Sequence, residues 1–265
     1  MKKLDLDENC VINLYHTVKN IYKVAEYFNV SISPIIRILK SNGIELTNRR
    51  YHVNDNYFDV IDTEEKAYWL GFLYADGFIR ERKEGCSLQM KLAIKDKHHL
   101  ELFRKSIGSN HKIIDGFSHV KYNGGISISH TSSLAMYSNQ LVKSIKSQGF
   151  HSRKTFTIER PNINNELIHH FIRGFFDGDG SFSFTEKVKS VTNIVCASKK
   201  FREFLIEELS NNDIKINYYG NITLFIQNKM DNNKFYNYIY KNATIFLERK
   251  KEKYDKFRKY YKYDN

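Results

Sequence analysis

The sequence predicts an α+β protein. Two pseudosymmetric αββαββα halves, each an antiparallel sheet backed by helices, follow a small N-terminal all-α helix-turn-helix module. Three observations carry this expectation. A segment of the chain recurs 103 residues downstream, stretches of alternating apolar and polar residues surround each copy, and the first 45 residues carry short helical periods instead. The divisions read from these patterns are a module over 1–45, a linker over 46–63, a first half over 64–150, a second linker over 151–165, and a second half over 166–265.

The N-terminal module rests on NIYKVAEYFNV followed by SISPIIRILKSNG. Ala25 is a small residue suited to a helix crossing, and Asn29 falls four later at the turn, where Asn tolerates a left-handed backbone. Val24, Phe28, Val30, Ile35 and Ile38 supply a core. Ser31 is placed to cap the next helix, Pro34 fits its first turn, and Gly43 can end it. Ile32, Ser33, Ile36, Arg37 and Lys40 are left facing outward, where a DNA-binding version of this motif enters the major groove. Residues 46–62, from LTNRRYHV to YFDVID, read as a basic, aromatic linker able to contact backbone phosphate.

The repeat sets AYWLGFLYADGFI (Ala67 to Ile79) against HFIRGFFDGDGSF (His170 to Phe182), with Gly71, Phe72, Asp76 and Gly77 matching Gly174, Phe175, Asp179 and Gly180. After the first copy, SLQMKLAIK alternates Leu88, Met90, Leu92 and Ile94 with Ser87, Gln89 and Lys91, the signature of a half-buried strand. KHHLELFRKSIG reads as a helix, HKIID and VKYNGGISIS as strands, and SSLAMYSNQLVKSIKSQG as a helix ended by Gly149. In the second half SFSFTE, VTNIVCA, IKINYY and NITLFIQ read as strands and KKFREFLIEELSNN as a helix. Helical segments close the chain through LERKKEKYDKFRKY, and HSRKTFTIERPNINN joins the halves.

Both repeated helices carry small residues four apart, Gly71 and Ala75 in one, Gly174 and Gly178 in the other. Two backbones can therefore approach closely along facing stripes. Packed side by side, the helices bring Asp76 and Asp179 together at their C-terminal ends. Such a pair of carboxylates is costly without a cation, and hard divalent ions fit it, because Mg²⁺ takes carboxylate and water oxygens and leaves room for phosphate. A lone acid after an apolar helix is ordinarily a polar helix end; its duplication is what singles these two out.

Lys and Arg outnumber Asp and Glu by 42 to 30, a formal charge of +12. That balance favours a polyanionic partner, nucleic acid first. No run approaches the roughly 18 apolar residues of a membrane span, and MKKLDLDENC lacks a signal region, so a soluble intracellular protein without a membrane partner is expected. Cys10, Cys86 and Cys196 are too scattered for a disulfide framework or a cysteine zinc site. His98, His99, His169 and His170 look like a metal cluster, but adjacent residues on a helix point apart, which favours packing or solvated roles.

WLGFLYADG (Trp69 to Gly77) and IRGFFDGDG (Ile172 to Gly180) resemble the paired motifs of the LAGLIDADG homing endonucleases, a resemblance covering roughly residues 64–260. It implies a monomer whose two halves form a saddle, with the sheets in the DNA major groove and the motif acids reaching the scissile phosphates across the minor groove. Metal binding, by Mg²⁺ or Mn²⁺, carries over to Asp76 and Asp179. The sixth motif position departs as Tyr74 in one copy and is Asp177 in the other, to which no role is assigned. A basic residue commonly assists each site; Lys95 and Lys250 are the candidates, with Lys199 close behind. Outward strand residues Gln89, Lys91, Asn221, Thr223 and Gln227 are expected to read bases, and Arg80, Arg82, Lys121 and Lys215 to meet phosphate or base.

These features together imply a site-specific double-strand DNA endonuclease of the homing type, leaving short 3′ overhangs, free-standing and carried by a bacterial, phage or organellar mobile element. The alternatives are an RNA maturase that binds intron RNA on the same scaffold, and a non-cleaving DNA-binding regulator. Retention of both motif acids argues against the regulator.

Overall fold

The computed structural model describes residues 6–44, 46, 51–122, 124–185, 188–220 and 222–263. The chain divides into two compact units, Met1–His52 and Val53–Asn265.

The first unit packs three helices: α1 (Glu8–Val18), α2 (Ile21–Tyr27) and α3 (Ile32–Ser41). Asp7 accepts from the amides of Asn9 and Cys10, and Asn20 from those of Tyr22 and Lys23, so the first two helices are capped by side-chain oxygens. Asn29 takes φ 50° in the turn between α2 and α3, and the Val30 amide closes that turn on the Ala25 carbonyl at 2.9 Å. Val11, Tyr15, Ile21, Val24, Ala25, Ile35, Ile38 and Leu39 form the core, with Phe28 and Val30 half-buried against it. Ser31 stands at the start of α3 but makes no side-chain capping bond. Ser33, Arg37 and Lys40 are exposed along α3.

The second unit repeats one topology twice. The first half runs α4 (Glu64–Asp76), β1 (Gly77–Arg82), β2 (Gly85–Ala93), α5 (Lys97–Ser106), β3 (Ile113–Tyr122), β4 (Gly125–Tyr137) and α6 (Asn139–Ser147). The second runs α7 (Ile168–Asp179), β5 (Gly180–Thr185), β6 (Val188–Val195), α8 (Lys199–Asn211), β7 (Asn217–Tyr219), β8 (Thr223–Ile226) and α9 (Lys229–Ile239), then adds α10 (Glu248–Tyr261). The antiparallel sheets have matching orders, β1-β2-β4-β3 and β5-β6-β8-β7. This is the α+β architecture of two αββαββα halves that the repeat predicts.

Two boundaries move. SSLAMY belongs to β4 and not to a helix, because Leu88 and Met90 of β2 pair with Met136 and Leu134, burying both. The helix begins only after Ser138, whose hydroxyl accepts from the Leu141 amide. VKYNGGISIS likewise divides between β3 and β4, since Tyr122 pairs directly with Gly125.

Neither expected linker is free chain where it is described. Tyr57, Phe58 and Ile61 are buried against the first half, and the Gln148 amide donates to the Phe58 carbonyl at 2.9 Å. Ile158 and Ile163 of the connection between the halves are also buried. No helix among the described residues is long and apolar enough to cross a membrane.

Candidate active site

The site is built on the contact of α4 with α7. In α4 every residue from Ala67 to Tyr74 is buried, and in α7 every residue from His170 to Asp177. These are the two helices at the centre of the unit. Their approach is set by two glycines. A Cβ on Gly71 would stand 1.9 Å from the Phe171 carbonyl oxygen, and one on Gly174 would stand 1.9 Å from that of Tyr68. The contacts are reciprocal, as a pseudo-two-fold axis between the helices requires. Further along, a Cβ on Gly178 would meet Ala75 Cβ at 2.2 Å and Asp76 Oδ2 at 3.2 Å. All four small residues of the predicted stripe therefore lie in the seam, and the closeness continues to the motif acid.

Asp76 and Asp179 end their helices beside one another. Burial first, and then the charge of Asp179, pushes the Asp76 carboxyl up to about 6, against the opposing pull of Lys250 and Lys154. Burial also raises the Asp179 carboxyl, although that residue reaches solvent at the end of α7. Neither carboxylate has a hydrogen-bonding partner among the described residues. Two carboxylates held together without donors suit a hard cation that takes one or two protein oxygens and completes its shell from water and phosphate. Among the described residues no cluster of three or more His, Cys, Asp or Glu side chains forms an alternative metal site.

Each helix end is also met by a lysine. Lys154 Nζ donates to the carbonyls of Tyr74 at 2.5 Å and Ala75 at 2.7 Å. Lys250 Nζ donates to those of Phe176 and Asp177 at 2.7 Å and Gly180 at 2.5 Å. The last carbonyls of a helix lack intrahelical partners and carry the negative end of its dipole, so an ammonium there satisfies both. Burial lowers both lysines, Lys250 to about 8, while the nearby carboxylates oppose the shift.

Lys250 thus lies where the sequence placed a basic residue for the second half, but its counterpart in the first half is Lys154. Lys95 is exposed on the turn after β2 and lines a cleft of about 610 Å³ that includes neither motif acid. Lys199 is exposed at the start of α8, paired with Glu203 at 3.7 Å. No periodic signal marks Lys154, which sits in an irregular connection.

A buried polar network behind the carboxylates was also invisible in the sequence. Asp177 accepts from the Tyr68 hydroxyl at 2.8 Å and the Leu247 amide at 2.7 Å, while its Oδ1 has no partner. The Tyr68 hydroxyl also meets His99 Nε2 at 2.7 Å. Burial raises Asp177 to about 6 and lowers His99 to about 3. Arg249 grips Asp96 with two bonds of 2.7 and 2.8 Å, and Arg173, fully buried, donates to Glu64 at 2.6 Å. The Tyr68–Asp177, Arg249–Asp96 and Arg173–Glu64 contacts cross between the halves. His99 and His170 therefore serve packing and hydrogen bonding, with His170 Nδ1 beside Arg173.

The strand residues divide by face. Gln89 pairs with Ala135 and Lys91 with Ser133, on the side of the sheet away from buried Leu88, Met90 and Leu134. Arg80 and Arg82 of β1 share that side. Lys121 pairs with Ile126, and its alternation with Ile113 puts it on the opposite, helix-bearing face. Thr223 lies on the outer face of the second sheet, paired with Val195 and Tyr219. Gln227 and Lys215 are exposed at strand ends, and Asn221 falls outside the described residues.

No family model matches this chain, and no curated protein matches it in sequence. Among solved structures it is similar to the homing endonuclease I-WcaI bound to its DNA recognition sequence, with a TM-score of 0.52 and 17% identity over 74% of this chain and 89% of that one. It also matches the meganuclease I-SmaMI bound to uncleavable DNA, at 14% identity and TM-score 0.47 over 73% and 89% of the two chains. The N-terminal LAGLIDADG domain of WhiA matches at 18% identity and TM-score 0.42 over 70% and 89%. At these identities the likeness is one of fold, and the fold is the LAGLIDADG fold.

Proposed function

We propose that the chain is a site-specific endonuclease that cuts both strands of duplex DNA and leaves short 3′ overhangs, working as a monomer with Mg²⁺ or Mn²⁺. The observation that carries this reading is the convergence of Asp76 and Asp179 at the ends of two helices packed backbone to backbone, each end neutralised by its own lysine. The fold shared with the DNA-bound homing endonuclease I-WcaI supports duplex DNA as the partner.

Asp76 and Asp179 are the groups that would hold divalent cations, which supply charge neutralisation at the phosphate and an activated water. The chain's own residues do the rest. The seam fixes the separation of the two carboxylates, so that each serves one strand. With its carboxyl near 6, Asp76 is ionised and able to take a cation from neutral pH upward. All three N–H bonds of the Lys250 ammonium are directed at carbonyls, which leaves no proton to donate. Lys250 and Lys154 therefore act as positioning residues, holding the helix ends and balancing their negative potential. The outward faces of the two sheets present Gln89, Lys91, Arg80, Arg82 and Thr223 to the grooves, with Gln227 and Lys215 at their ends. Ser33, Arg37 and Lys40 on α3 extend recognition beyond them.

The test is incubation of the full chain with a genomic DNA library in Mg²⁺, followed by sequencing of the ends. Recurrent double-strand ends at one sequence are expected. Tight duplex binding without metal-dependent ends would refute the nuclease reading and leave a binding regulator.

A further inference from the structure

The cleft of about 610 Å³ that Lys95 lines holds neither motif acid and has no part in the nuclease site. One wall is a face of α5, where Leu102 and Lys105 follow one another at helical spacing, and the other is the segment 244–249 that leads into α10. It therefore opens between the two halves. Its volume is that of a site for a small molecule.

Among the lining residues is His99, only 4% exposed. The Tyr68 hydroxyl has one proton, which goes to Asp177 Oδ2 at 2.8 Å, an oxygen that also accepts from the Leu247 amide. His99 Nε2 lies 2.7 Å from the same hydroxyl and must carry the proton of that second bond. Burial lowers the imidazole to about 3, so the ring is neutral at neutral pH and its other nitrogen, Nδ1, is a bare acceptor. Nδ1 has no hydrogen-bonding partner among the described residues. Unlike Trp69 Nε1 and Asp177 Oδ1, it is not sealed from solvent either. A nearly buried acceptor thus looks into the cleft with nothing bonded to it.

The rest of the lining adds charge and a flat apolar surface. Lys95 and Lys105 are exposed at either end of the α5 wall, with no ion-pair partner among the described residues. Two of the lining acids are already engaged, Glu65 by the Tyr57 hydroxyl at 2.7 Å and Asp96 by Arg249, while Glu248 is exposed beside them. Phe246 and Leu102 are half-buried in the walls. A purely apolar ligand would leave His99 Nδ1 unpaired, which costs binding energy, and a bare anion would leave both Nδ1 and Phe246 unused. A nucleobase joins a stacking face to an N–H donor, and its phosphate supplies the anion. We propose that this cleft binds a nucleoside phosphate, its base against Phe246 and Leu102 with an N–H given to His99 Nδ1, its ribose hydroxyl given to Glu248, and its phosphate on Lys95. The ligand touches both halves of the unit and stands beside Arg249, the neighbour in sequence of Lys250.

The chain carries its own reporter, because its single tryptophan, Trp69, has its ring centroid 4.9 Å from that of His99. The experiment is titration of the full chain in EDTA with AMP, GMP, CMP, UMP and inorganic phosphate, followed by calorimetry and by Trp69 fluorescence, with Lys95→Gln and Phe246→Ala run in parallel. At least one nucleotide is expected to bind saturably and to change the Trp69 emission, with inorganic phosphate at least tenfold weaker. Each variant is expected to weaken that nucleotide about tenfold, Lys95→Gln through the lost charged contact and Phe246→Ala through the lost stacking. Lys95 is exposed, so its variant keeps the test independent of folding. Inorganic phosphate binding as tightly as the nucleotides overturns the proposal, as does saturable heat without a Trp69 response, an unchanged affinity in Lys95→Gln, or no binding by any of the four. A response to single-stranded oligonucleotides alone likewise overturns it. Because the cleft includes neither Asp76 nor Asp179, each of these results leaves the nuclease reading where it stands.

Discussion

Replacing Gly71 with Ala adds one methyl group at the point where α4 and α7 touch. That Cβ would stand 1.9 Å from the Phe171 carbonyl oxygen and 2.8 Å from its carbon. A relaxed contact of carbon with a carbonyl oxygen is about 3.3 Å, which leaves a shortfall of about 1.4 Å. The obstacle is backbone inside an α-helix, so no rotamer change relieves it, and the helices must separate. Overpacking of this kind costs about 1–3 kcal/mol and more where backbone must shift; here the separation also loosens both cores, so a loss of about 3 kcal/mol or greater is expected. Gly174→Ala meets the Tyr68 carbonyl at the same 1.9 Å and should cost a similar amount. Gly116→Ala is the control, because nothing lies within 4 Å of its would-be Cβ, and in a strand the change is neutral or stabilising. Urea unfolding of the three variants measures the difference, with Cm expected to fall for the two helix glycines alone. Gly71→Ala as stable as the wild type would refute the backbone-contact account of the seam.

Other expectations follow from the electrostatics. The Asp76 carboxyl titrates near 6 when folded against an ordinary 3.8. Its penalty is absent below pH 3.8, grows as pH rises to 6 and is complete above. Asp76→Asn should therefore stabilise the metal-free protein at pH 7.5, by at most about 3 kcal/mol by linkage and nearer 1 after allowing for partial solvent access, with the gain vanishing below pH 4; thermal unfolding across pH checks both sign and window. Lys154→Met leaves the Tyr74 and Ala75 carbonyls without their donor; it should cost about 1–3 kcal/mol and move the pH profile of cleavage upward, as Asp76 loses a neighbouring cation. In the N-terminal unit, Arg37→Ala and Lys40→Ala should leave stability within about 0.5 kcal/mol while each lowers the slope of log K against log salt by about 1. An unchanged slope would remove α3 from the DNA contact.

What was legible in the sequence is what repetition and periodicity encode. The matched Gly71/Gly174 and Asp76/Asp179 pairs mark the central helices and their acids, and the alternation of Leu88, Met90 and Leu92 marks the first sheet. Asn29 announced a left-handed turn, and it takes φ 50°. The failures share one cause, long-range pairing. SSLAMY has no intrinsic reason to be extended until β2 lies beside it. Lys154 reaches the Tyr74 carbonyl from 80 residues away, and Asp177 meets a tyrosine 109 residues distant; no local pattern records such contacts. Lys95 is near a strand end in sequence, yet it lines a cleft that includes neither motif acid.

The central claim is that Asp76 and Asp179 form one metal-dependent centre serving both strands. Its most direct test is strand-resolved cleavage of the recovered target in Mg²⁺ by the wild type, Asp76→Asn, Asp179→Asn and the double variant, with binding of each measured in parallel. The account predicts double-strand cutting by the wild type, loss of cutting on one strand or both in each single variant, and a double variant that binds the target yet leaves both strands intact. Double-strand cleavage at the wild-type rate by the double variant would contradict it.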